Sequence, residues 1–472
     1  MPTQLAQRTL PAIASLGVPV PRFDRGSLVP RILHLGVGGF HRAHMALYTD
    51  DIAGGGSDWG IRGIGILDGD RRMADVLRSQ DHLYTLVERD GDGSRPRVVG
   101  SIVDYVLASG DLALFSERAT DPVLAILSLT ITEGGYALEN GNETIEAVVS
   151  ALAARCAAGH GPLTILSCDN VPGNGDVARD AIMTVAERRG NDLVRYLGDC
   201  TFPNSMVDRI TPQTTDADRA WLRDEIGIDD GWPVVCEPFR QWVLEDRFVA
   251  ERPDWDAAGA LFTDHVHDWE LYKLRMLNAA HSCMAYLAAL AGIVYVDQAI
   301  ANAAVYRYLE RFLLTEAIPP LREIPGHPAA DYAETALARF ANTGVRDQIA
   351  RLCIDGTAKF PKFVIPTVEA QLERDGPIAC AALALAAWAR YLATVPSAER
   401  APDSKGAHAA ALAAESLTDP LAFLELDDVF TPAVRASTRF RETFIASARN
   451  LVALGPISAI EEVSNDSGVQ ST

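Results

Sequence analysis

The sequence predicts an α/β protein in which a doubly wound parallel sheet domain is followed by a mostly α-helical domain. The chain has 472 residues, more than one hydrophobic core usually organises, so two domains are expected. Its first half alternates strand-like apolar runs with helical stretches, a pattern typical of a parallel sheet covered by helices. Its second half consists of Ala- and Leu-rich segments at helical spacing.

Strand-like runs in the first half mark the predicted sheet. In chain order they are Arg31–Gly36, Gly60–Leu67, Val123–Thr132 and Leu163–Cys168. The predicted domains comprise residues 1–268 and 269–472. Prolines punctuate the helical segments of the second domain, at Pro319, Pro320, Pro325, Pro361, Pro396 and Pro402. Residues 397–407 are predicted to form a solvated loop, and the last dozen residues, which lack an apolar period, a disordered tail.

Composition indicates a small-molecule partner. The chain carries 63 acidic and 42 basic residues, a formal charge of −21, which would repel a phosphate backbone or an anionic membrane. Neither a nucleic acid nor a membrane is therefore an expected partner. The longest apolar runs, residues 283–296 and 378–388, are shorter than the roughly 18 residues of a membrane span.

The cysteines indicate a cytoplasmic protein. The seven cysteines are scattered and form no C-x-x-C pair, so we expect reduced, mostly buried thiols. Residues 1–20 also lack the basic region and long apolar run of a secretory signal.

A glycine-rich turn follows the first predicted strand. The segment Gly36-Val-Gly-Gly-Phe-His-Arg-Ala-His44 precedes a helical stretch, the context of a dinucleotide-binding turn in a Rossmann-like domain. The third glycine of the usual pattern is replaced by His41, so a plain tight turn remains an alternative. Arg42, with His41 and His44, would sit where the helix dipole disfavours cations, and a bound phosphate would reverse that penalty. The predicted cofactor-binding residues here are Gly36, Gly38, Gly39, Phe40, His41 and Arg42.

Later strand ends supply further cofactor candidates. Asp68 and Asp70 follow the second strand, where a carboxylate would bind the adenosine ribose. A carboxylate there favours NAD over NADP, although a turn or helix cap is an equal alternative for Asp68. Thr132 and Glu133 follow the third strand and would face the same crevice.

A helical segment in the second half carries polar groups suited to catalysis. At about 100° per residue, Glu270, Lys273, Asn278 and His281 fall within an arc of roughly 140° on one helix face. Apolar and small neighbours suggest a tightly packed setting in which a lysine loses its proton more easily and acts as a base. The alternative is an amphipathic helix whose wet side carries these residues.

Asn170 stands just after the fourth predicted strand, where doubly wound sheets place ligand-binding groups. An Asx turn is the alternative. The histidines and carboxylates lack the H-x-x-x-H and H-E-x-x-H spacings of zinc sites, so no metal site is predicted. A G-x-S-x-G nucleophile turn is likewise absent from the sequence.

Together these segments resemble the polyol-specific long-chain dehydrogenases, a family that includes mannitol and D-arabinitol dehydrogenases and the hexuronate reductases. The resemblance extends over nearly the whole chain and rests on six motifs in order. They are Gly36–His44, Ser167–Asn170, Met206–Pro212, Glu237–Trp242, Lys273–Asn278 with His281, and Asp355–Lys362.

The resemblance implies NAD-dependent, metal-free oxidation of a secondary alcohol. Lys273 matches the position of the family's general base, Asn170 and Asn278 its oxyanion-stabilising amides, and His281 its partner for a substrate hydroxyl. The positions that line the polyol pocket are matched by Val207, Asp208, Arg351 and Lys359. Glu270, one turn before Lys273, either relays the proton to solvent or points away.

Three functions remain open at this point. The leading one interconverts a hexitol and a ketohexose, as in oxidation of D-mannitol to D-fructose. The second reduces fructuronate or tagaturonate, and Arg240 would then pair with the substrate carboxylate. Against it, the segment Lys359–Pro366 looks closer to the mannitol branch. The third is a nucleotide-binding protein without redox chemistry, which leaves the Lys273 helix unexplained. A monomer is expected.

Overall fold

A computed structural model describes residues 2–138 and 141–465 of the chain. The chain divides into two compact units, Met1–His267 and Asp268–Thr472. The boundary predicted after residue 268 lies one residue from this division.

The first unit contains the strands. They are β1 Thr3–Gln4, β2 Val29–Leu35, β3 Trp59–Gly65, β4 Tyr84–Asp90, β5 Gly93–Val99, β6 Ile102–Leu107, β7 Ile126–Leu129, β8 Thr164–Ser167, β9 Ser205–Asp208, β10 Ile228–Asp229, β11 Val234–Cys236, β12 Gln241–Leu244 and β13 Leu261–Phe262. Its helices are α1 Leu10–Ser15, α2 Gly39–Ala43, α3 Met45–Gly54, α4 Arg71–Ser79, α5 Ala113–Ala119, α6 Glu143–Ala157, α7 Asn174–Ala186, α8 Asn191–Gly198 and α9 Asp216–Trp221.

Helices dominate the remainder. They are α10 Val266–Tyr272, α11 Ala279–Leu290, α12 Val296–Ala301, α13 Ala303–Arg311, α14 Ala329–Phe340, α15 Ile349–Leu352, α16 Gly356–Phe363, α17 Ile365–Glu373, α18 Ala379–Thr394, α19 Gly406–Glu415, α20 Pro432–Ala436, α21 Thr438–Leu454 and α22 Pro456–Asn465. Segments Lys273–Asn278 and Phe312–Ala317 are π-helical. The first five residues of the predicted disordered tail continue α22, which corrects that prediction. Residues 466–472 lie outside the described residues.

The central sheet confirms the predicted fold class. Its strands run parallel in the order β6-β3-β2-β7-β8. Chain order therefore reverses between β2 and β7, which is where doubly wound sheets bind ligands at the carboxyl ends of their strands. The four predicted strand-like runs correspond to β2, β3, β7 and β8.

Residues along β2 alternate between two hydrophobic cores, as strand geometry requires. Ile32 packs on one face with the core around α3 and Trp242. Leu33 and Leu35 pack on the other face with the core around α6 and α7. Both faces of the sheet are thus covered, and buried parallel strands of this kind are expected to be apolar.

A buried carboxylate organises the second unit. Helix α18 is almost wholly buried from Cys380 to Ala389. The carboxylate of Glu316 accepts hydrogen bonds from the amides of Cys380 and Ala381, at 2.6 and 2.9 Å. It satisfies amides at the start of α18 that lack partners within the helix. Burial raises the pKa of Glu316, while these amide donors oppose that shift.

Candidate active site

Gly36 closes a tight turn at the carboxyl end of β2. Its φ is +97°, and a Cβ added there would lie 2.1 Å from the carbonyl oxygen of Thr130. The Gly36 carbonyl accepts from the Thr130 hydroxyl at 2.6 Å and from the Gly38 amide at 2.7 Å. Only glycine fits this position, because the turn bends directly against the end of β7.

Gly38 and Gly39 have open space instead. A Cβ at Gly38 would meet nothing closer than the Gly36 carbonyl oxygen at 3.8 Å, and one at Gly39 would lie 3.7 Å from Thr211 Cγ2. The fold itself therefore does not require glycine at either position. Glycines that the fold does not need, at a strand-to-helix turn, fit close approach of a pyrophosphate to the backbone.

Stacked imidazoles replace the usual third glycine. The rings of His34 on β2 and His41 on α2 lie 3.4 Å apart with an interplanar angle of 14°. A third glycine normally allows a helix to pack closely on its strand. Here two flat rings fill that space instead, so the missing glycine does not prevent the turn from forming.

His34 also anchors the turn. Its Nε2 lies 3.2 Å from the Gly36 carbonyl oxygen, and its Nδ1 lies 2.8 Å from the Ser128 hydroxyl. Because a carbonyl only accepts, Nε2 carries the proton and Nδ1 accepts from Ser128. Burial lowers the pKa of His34 to about 3.

The cationic side chains of α2 that were expected to meet a phosphate are buried in the sheet domain. Arg42 is 1% exposed, and its guanidinium donates to the carbonyls of Trp232 and Gly38. His41 is also buried, and burial lowers the pKa of His44 to about 3, so that ring is neutral at pH 7. Phe40 is partly buried and stacks on His44, with 5.0 Å between ring centroids. The contact of these cationic side chains with a phosphate therefore stays a prediction.

The buried histidines predict acid sensitivity. The folded-state pKa values of His34 and His44 are about 3, and burial lowers the pKa of His41 well below 6.5. Unfolded histidines titrate near 6.5. The unfolded chain thus binds more protons below pH 6.5, and the stability that neutral rings contribute is lost as pH falls from 6.5 toward 3, by ~1.4 kcal/mol per pH unit for each ring. Asp50 opposes this loss between pH 6 and 4, because burial raises its pKa to about 6, and the raised pKa values of buried Asp169, Asp230 and Glu316 act in the same direction.

The variant His41→Phe tests this relation. Among the described residues neither ring nitrogen of His41 has a hydrogen-bond partner, so a phenyl ring keeps the stack and removes two costly polar atoms. We expect unchanged or higher stability at pH 7 and a shallower loss toward pH 4.5, measured by urea unfolding. The control His408→Gln changes an exposed histidine of α19. If the stability of His41→Phe falls as steeply toward pH 4.5 as that of the wild type, the buried ring of His41 does not contribute to the acid sensitivity.

The two aspartates after β3 have different environments. Asp70 accepts from the Leu67 amide at 2.9 Å and caps the 3₁₀ turn Asp68–Asp70. Asp68 is exposed and accepts from the Ser109 hydroxyl. The capping role proposed for Asp68 thus belongs to Asp70, and Asp68 presents its carboxylate at the end of β3.

A buried carboxylate missed by the sequence analysis fixes the ends of β7 and β8. Asp169 is 5% exposed, and its two oxygens accept from the amides of Ile131 and Thr132 and from the hydroxyl of Tyr136. Thr132 has φ +66°, which is strained for a β-branched residue. Asp169 therefore holds the strained loop that carries Thr132 and immediately precedes Asn170, which is exposed. Glu133 is exposed in the following 3₁₀ turn.

The predicted polyol-binding positions at the end of β9 are buried. Val207 and Asp208 are 3% and 4% exposed and pair with Trp242 and Gln241 of β12. The next residue, Arg209, is buried and donates to the Glu88 carboxylate at 2.6 Å.

Arg240 is engaged within its own unit. Its guanidinium lies 2.7 Å from the Asp51 carboxylate and 4.3 Å from the centroid of the Tyr48 ring. It also donates to the Ala258 carbonyl at 3.1 Å. Among the described residues, Arg240 Nη1 has no hydrogen-bond partner, so the expectation that Arg240 binds a substrate carboxylate stays a prediction, to which the ion pair with Asp51 is opposed.

In the second unit, the predicted catalytic residues bracket the π-helical segment. Lys273 begins it, Asn278 ends it, and α10 and α11 flank it. The angle of about 100° per residue expected for an α-helix therefore does not apply between Lys273 and Asn278. Lys273 is 8% exposed, and Glu270, one turn earlier, is 6% exposed. Short π segments inside α-helices occur frequently at functional sites.

Neighbouring contacts hold this segment. Arg275 donates to the carbonyl of Lys362 at 2.5 Å. The Asn278 carbonyl accepts from the Ser282 hydroxyl at 3.1 Å. His281 stacks on Phe340, with ring centroids 4.1 Å apart. These contacts, all within the helical unit, position Arg275, the main chain of Asn278 and the ring of His281.

The structure also brings Arg351 and Lys359 together. The Lys359 ammonium donates to the Leu352 carbonyl at 3.0 Å and lies 3.4 Å from that of Arg351. Arg351 donates through Nε to Asp347 at 2.6 Å. Burial, followed by the charge of Arg351, lowers the pKa of Lys359.

Within residues 2–138 and 141–465, no group of three or more His, Cys, Asp or Glu side chains could hold a metal ion. Across the same residues, no helix has the length and apolar character needed to span a membrane.

This protein has the features of a two-domain, nucleotide-dependent oxidoreductase. They are the sheet, its glycine turn and the lysine-bearing helical unit. Sequence models of the mannitol dehydrogenase Rossmann domain and the mannitol dehydrogenase C-terminal domain match residues 30–257 and 265–452. The chain belongs to the mannitol dehydrogenase family, which confirms the resemblance seen in its six motifs.

Individual relatives are similar to this protein over most of its chain. Mannitol 2-dehydrogenase of Phaeosphaeria nodorum is 38% identical, covering 90% of this chain and 79% of the relative. The mannitol 2-dehydrogenase of Aspergillus terreus is 37% identical, covering 93% of this chain and 95% of the relative. The solved ternary complex of Pseudomonas fluorescens mannitol 2-dehydrogenase with NAD and D-mannitol has a TM-score of 0.85 and 36% identity, covering 98% and 99%. A substrate-free D-sorbitol dehydrogenase has a TM-score of 0.88 and 32% identity, covering 97% and 100%.

Proposed function

We propose that this enzyme oxidises a secondary hydroxyl of a sugar alcohol with NAD, converting D-mannitol to D-fructose, and catalyses the reverse ketose reduction. The observation that carries the proposal is a buried lysine opening a π-helical segment that ends in an asparagine, Lys273 to Asn278. Whole-chain similarity to mannitol 2-dehydrogenases supports the choice of substrate class.

The first unit has the features needed to hold NAD. The backbone at Gly38 and Gly39 has room for a pyrophosphate, and the exposed Asp68 carboxylate would accept from the ribose hydroxyls. The same carboxylate would repel the extra phosphate of NADP. Thr132 and Glu133 remain proposed cofactor contacts after β7.

A pair of glycine variants separates the needs of the fold from those of the cofactor. Gly36→Ala is expected to lower the unfolding midpoint strongly, because its Cβ would overlap the Thr130 carbonyl. Gly38→Ala is expected to fold normally, because its Cβ has room, yet to bind NADH at least tenfold more weakly, because the backbone must approach the pyrophosphate closely. NADH titration and thermal unfolding measure both. Unchanged NADH affinity in Gly38→Ala would contradict the proposed cofactor position.

The chain's own residues supply the proton chemistry. When bound, NAD accepts the hydride from the carbon that carries the reacting hydroxyl. Lys273, in its neutral form, removes the proton of that hydroxyl. The side-chain amide of Asn278 donates a hydrogen bond to the oxygen as negative charge develops there. Asn170 is proposed as a second donor, and Glu270 as the group that passes the proton from Lys273 to solvent.

Other residues are proposed to bind the remaining hydroxyls. His281 would bond a hydroxyl next to the reacting carbon. The polyol-binding positions are Val207, Asp208, Arg351 and Lys359. No metal is included in this scheme, and unchanged turnover in EDTA is the corresponding expectation.

A neutral polyol is preferred over a uronate. The hexuronate alternative needed Arg240 for the carboxylate, but that guanidinium pairs with Asp51 and covers the Tyr48 ring. We further propose a cytoplasmic monomer, supported by seven free cysteines, of which six are buried.

Turnover of a substrate panel tests the proposal. The purified protein is given D-mannitol, D-arabinitol, D-sorbitol, D-mannonate and D-altronate, each with NAD and with NADP. NADH formation with D-mannitol is the expected result. Turnover confined to the aldonates would replace the proposal with hexuronate reduction.

A further inference from the structure

A cavity in the second unit lies among residues that the proposed reaction does not use. It measures about 340 Å³ and lies between α18, α21 and the loop that follows α19. Ligand-binding pockets typically measure about 300–1,000 Å³.

Small side chains create the space. Ala386 and Ala389 on α18 and Ala448 on α21 face the cavity where larger residues would close it. Phe444 contributes a buried apolar wall, whereas Leu417 and Val452 are 53% and 64% exposed. The cavity therefore combines apolar and polar walls and is open at one side.

Two arginines supply its charge. Arg390 is half-buried on α18, and Arg449 is exposed on α21. In the part of the chain that the structure describes, neither guanidinium forms a hydrogen bond or an ion pair. Two positive groups of this kind, in a chain of formal charge −21, match an anionic ligand rather than a cationic one.

The remaining polar groups disfavour a sugar here. The Ser416 hydroxyl donates to the Ala413 carbonyl at 2.6 Å, and the Thr418 hydroxyl donates to the Glu415 carbonyl at 3.0 Å. The loop amides of Leu417 and Thr418 also donate, to the carbonyls of Ala414 and Glu415 at the end of α19. The donors left for a ligand are those of the two guanidinium groups, which suit a carboxylate or phosphate better than neutral hydroxyls.

We propose that this cavity is a second ligand site, which binds a small amphiphilic anion. The apolar body of the ligand packs between Ala386, Ala389, Ala448 and Phe444. Its carboxylate or phosphate pairs with Arg390 and Arg449. The site is separate from the residues assigned to NAD and polyol, so it does not depend on the proposed function.

Isothermal titration calorimetry of the full chain, without NAD or polyol, tests the site. The probes are octanoate and octyl phosphate, with 1-octanol as the neutral analogue and inorganic phosphate as the isolated head group. We expect one equivalent of octanoate or octyl phosphate to bind, and the tighter of the two identifies the head group. Octanol and phosphate alone are expected to bind at least tenfold more weakly.

Variants locate the binding. R390Q/R449Q should weaken anion binding by about tenfold or more, because hydrogen bonds to charged groups are lost. Ala448→Phe should block it by filling the cavity. The control R441Q, an exposed arginine elsewhere on α21, should bind like the wild type, and circular dichroism verifies that each variant folds. The proposal is overturned if neither anion binds at millimolar concentration, if octanol binds as tightly, or if R390Q/R449Q and Ala448→Phe both retain full affinity.

Discussion

Replacing Lys273 with alanine is expected to lower kcat for D-mannitol oxidation by about 10²–10⁴, the usual contribution of a positioned general base. Lys273 is buried at the start of the π-helical segment, so no mobile surface lysine replaces it. NADH binding should be retained, because the proposed cofactor residues belong to the sheet domain. Steady-state kinetics between pH 7 and 10 and NADH titration measure the two effects separately.

The matched control is Lys405→Ala, which removes an exposed lysine of the same unit. It should turn over like the wild type. Lys273→Arg keeps a positive charge but removes a usable base, and it should be nearly as slow as Lys273→Ala. A Lys273→Ala enzyme that keeps more than a tenth of the wild-type kcat would rule out the lysine as the base.

The second large effect is expected from Asn278→Ala. Loss of one preorganised donor to a developing oxyanion typically costs about 10²–10³ in kcat. The loss should appear mainly in kcat rather than in KM, because the donor acts most strongly when charge has developed. Asn278→Asp should be slower still, because an ionised carboxylate repels the forming alkoxide.

Asn450→Ala is the control for this position. Asn450 is half-buried on α21, as Asn278 is on its own helix, and it lies outside the proposed site. Its kinetics should be unchanged. If Asn278→Ala raises KM and leaves kcat intact, Asn278 binds substrate without stabilising the oxyanion.

The central sheet could be predicted because its strands are buried on both faces. Runs such as Ile32–Leu35 and Leu163–Cys168 are predominantly apolar, and buried parallel strands have that composition. Strands β4 and β5, which form an antiparallel pair, were not predicted. They carry Glu88, Arg89 and Arg95 among their residues, so no apolar run marks them.

Partners far apart in the chain could not be predicted from spacing. Arg42 donates to Trp232, and Arg240 pairs with Asp51. Their positive charges suggested ligands because the sequence shows a cation without showing what surrounds it. Distant carbonyls and carboxylates give both residues structural partners.

The π-helical segment could not be predicted from the sequence, for a different reason. Residues with helical preferences form α- and π-helical turns alike, and the difference lies in the hydrogen-bonding pattern. The motif Lys273–Asn278 identified the candidate catalytic residues, but the α-helical spacing predicted between Lys273 and Asn278 was wrong. Asp169 was missed although it directly precedes Asn170, because its carboxylate acts on Ile131 and Thr132, which follow another strand.

The most direct test of the central claim, hydride transfer from a secondary hydroxyl to NAD, uses D-mannitol with deuterium at carbons 2 and 5. Wild-type enzyme should transfer one deuterium to the nicotinamide ring for each D-fructose formed, as observed by NMR. Lys273→Ala should lower the rate of this transfer without changing the product. Unlabelled NADH accompanied by D-mannose would show oxidation of the terminal hydroxyl and contradict the account.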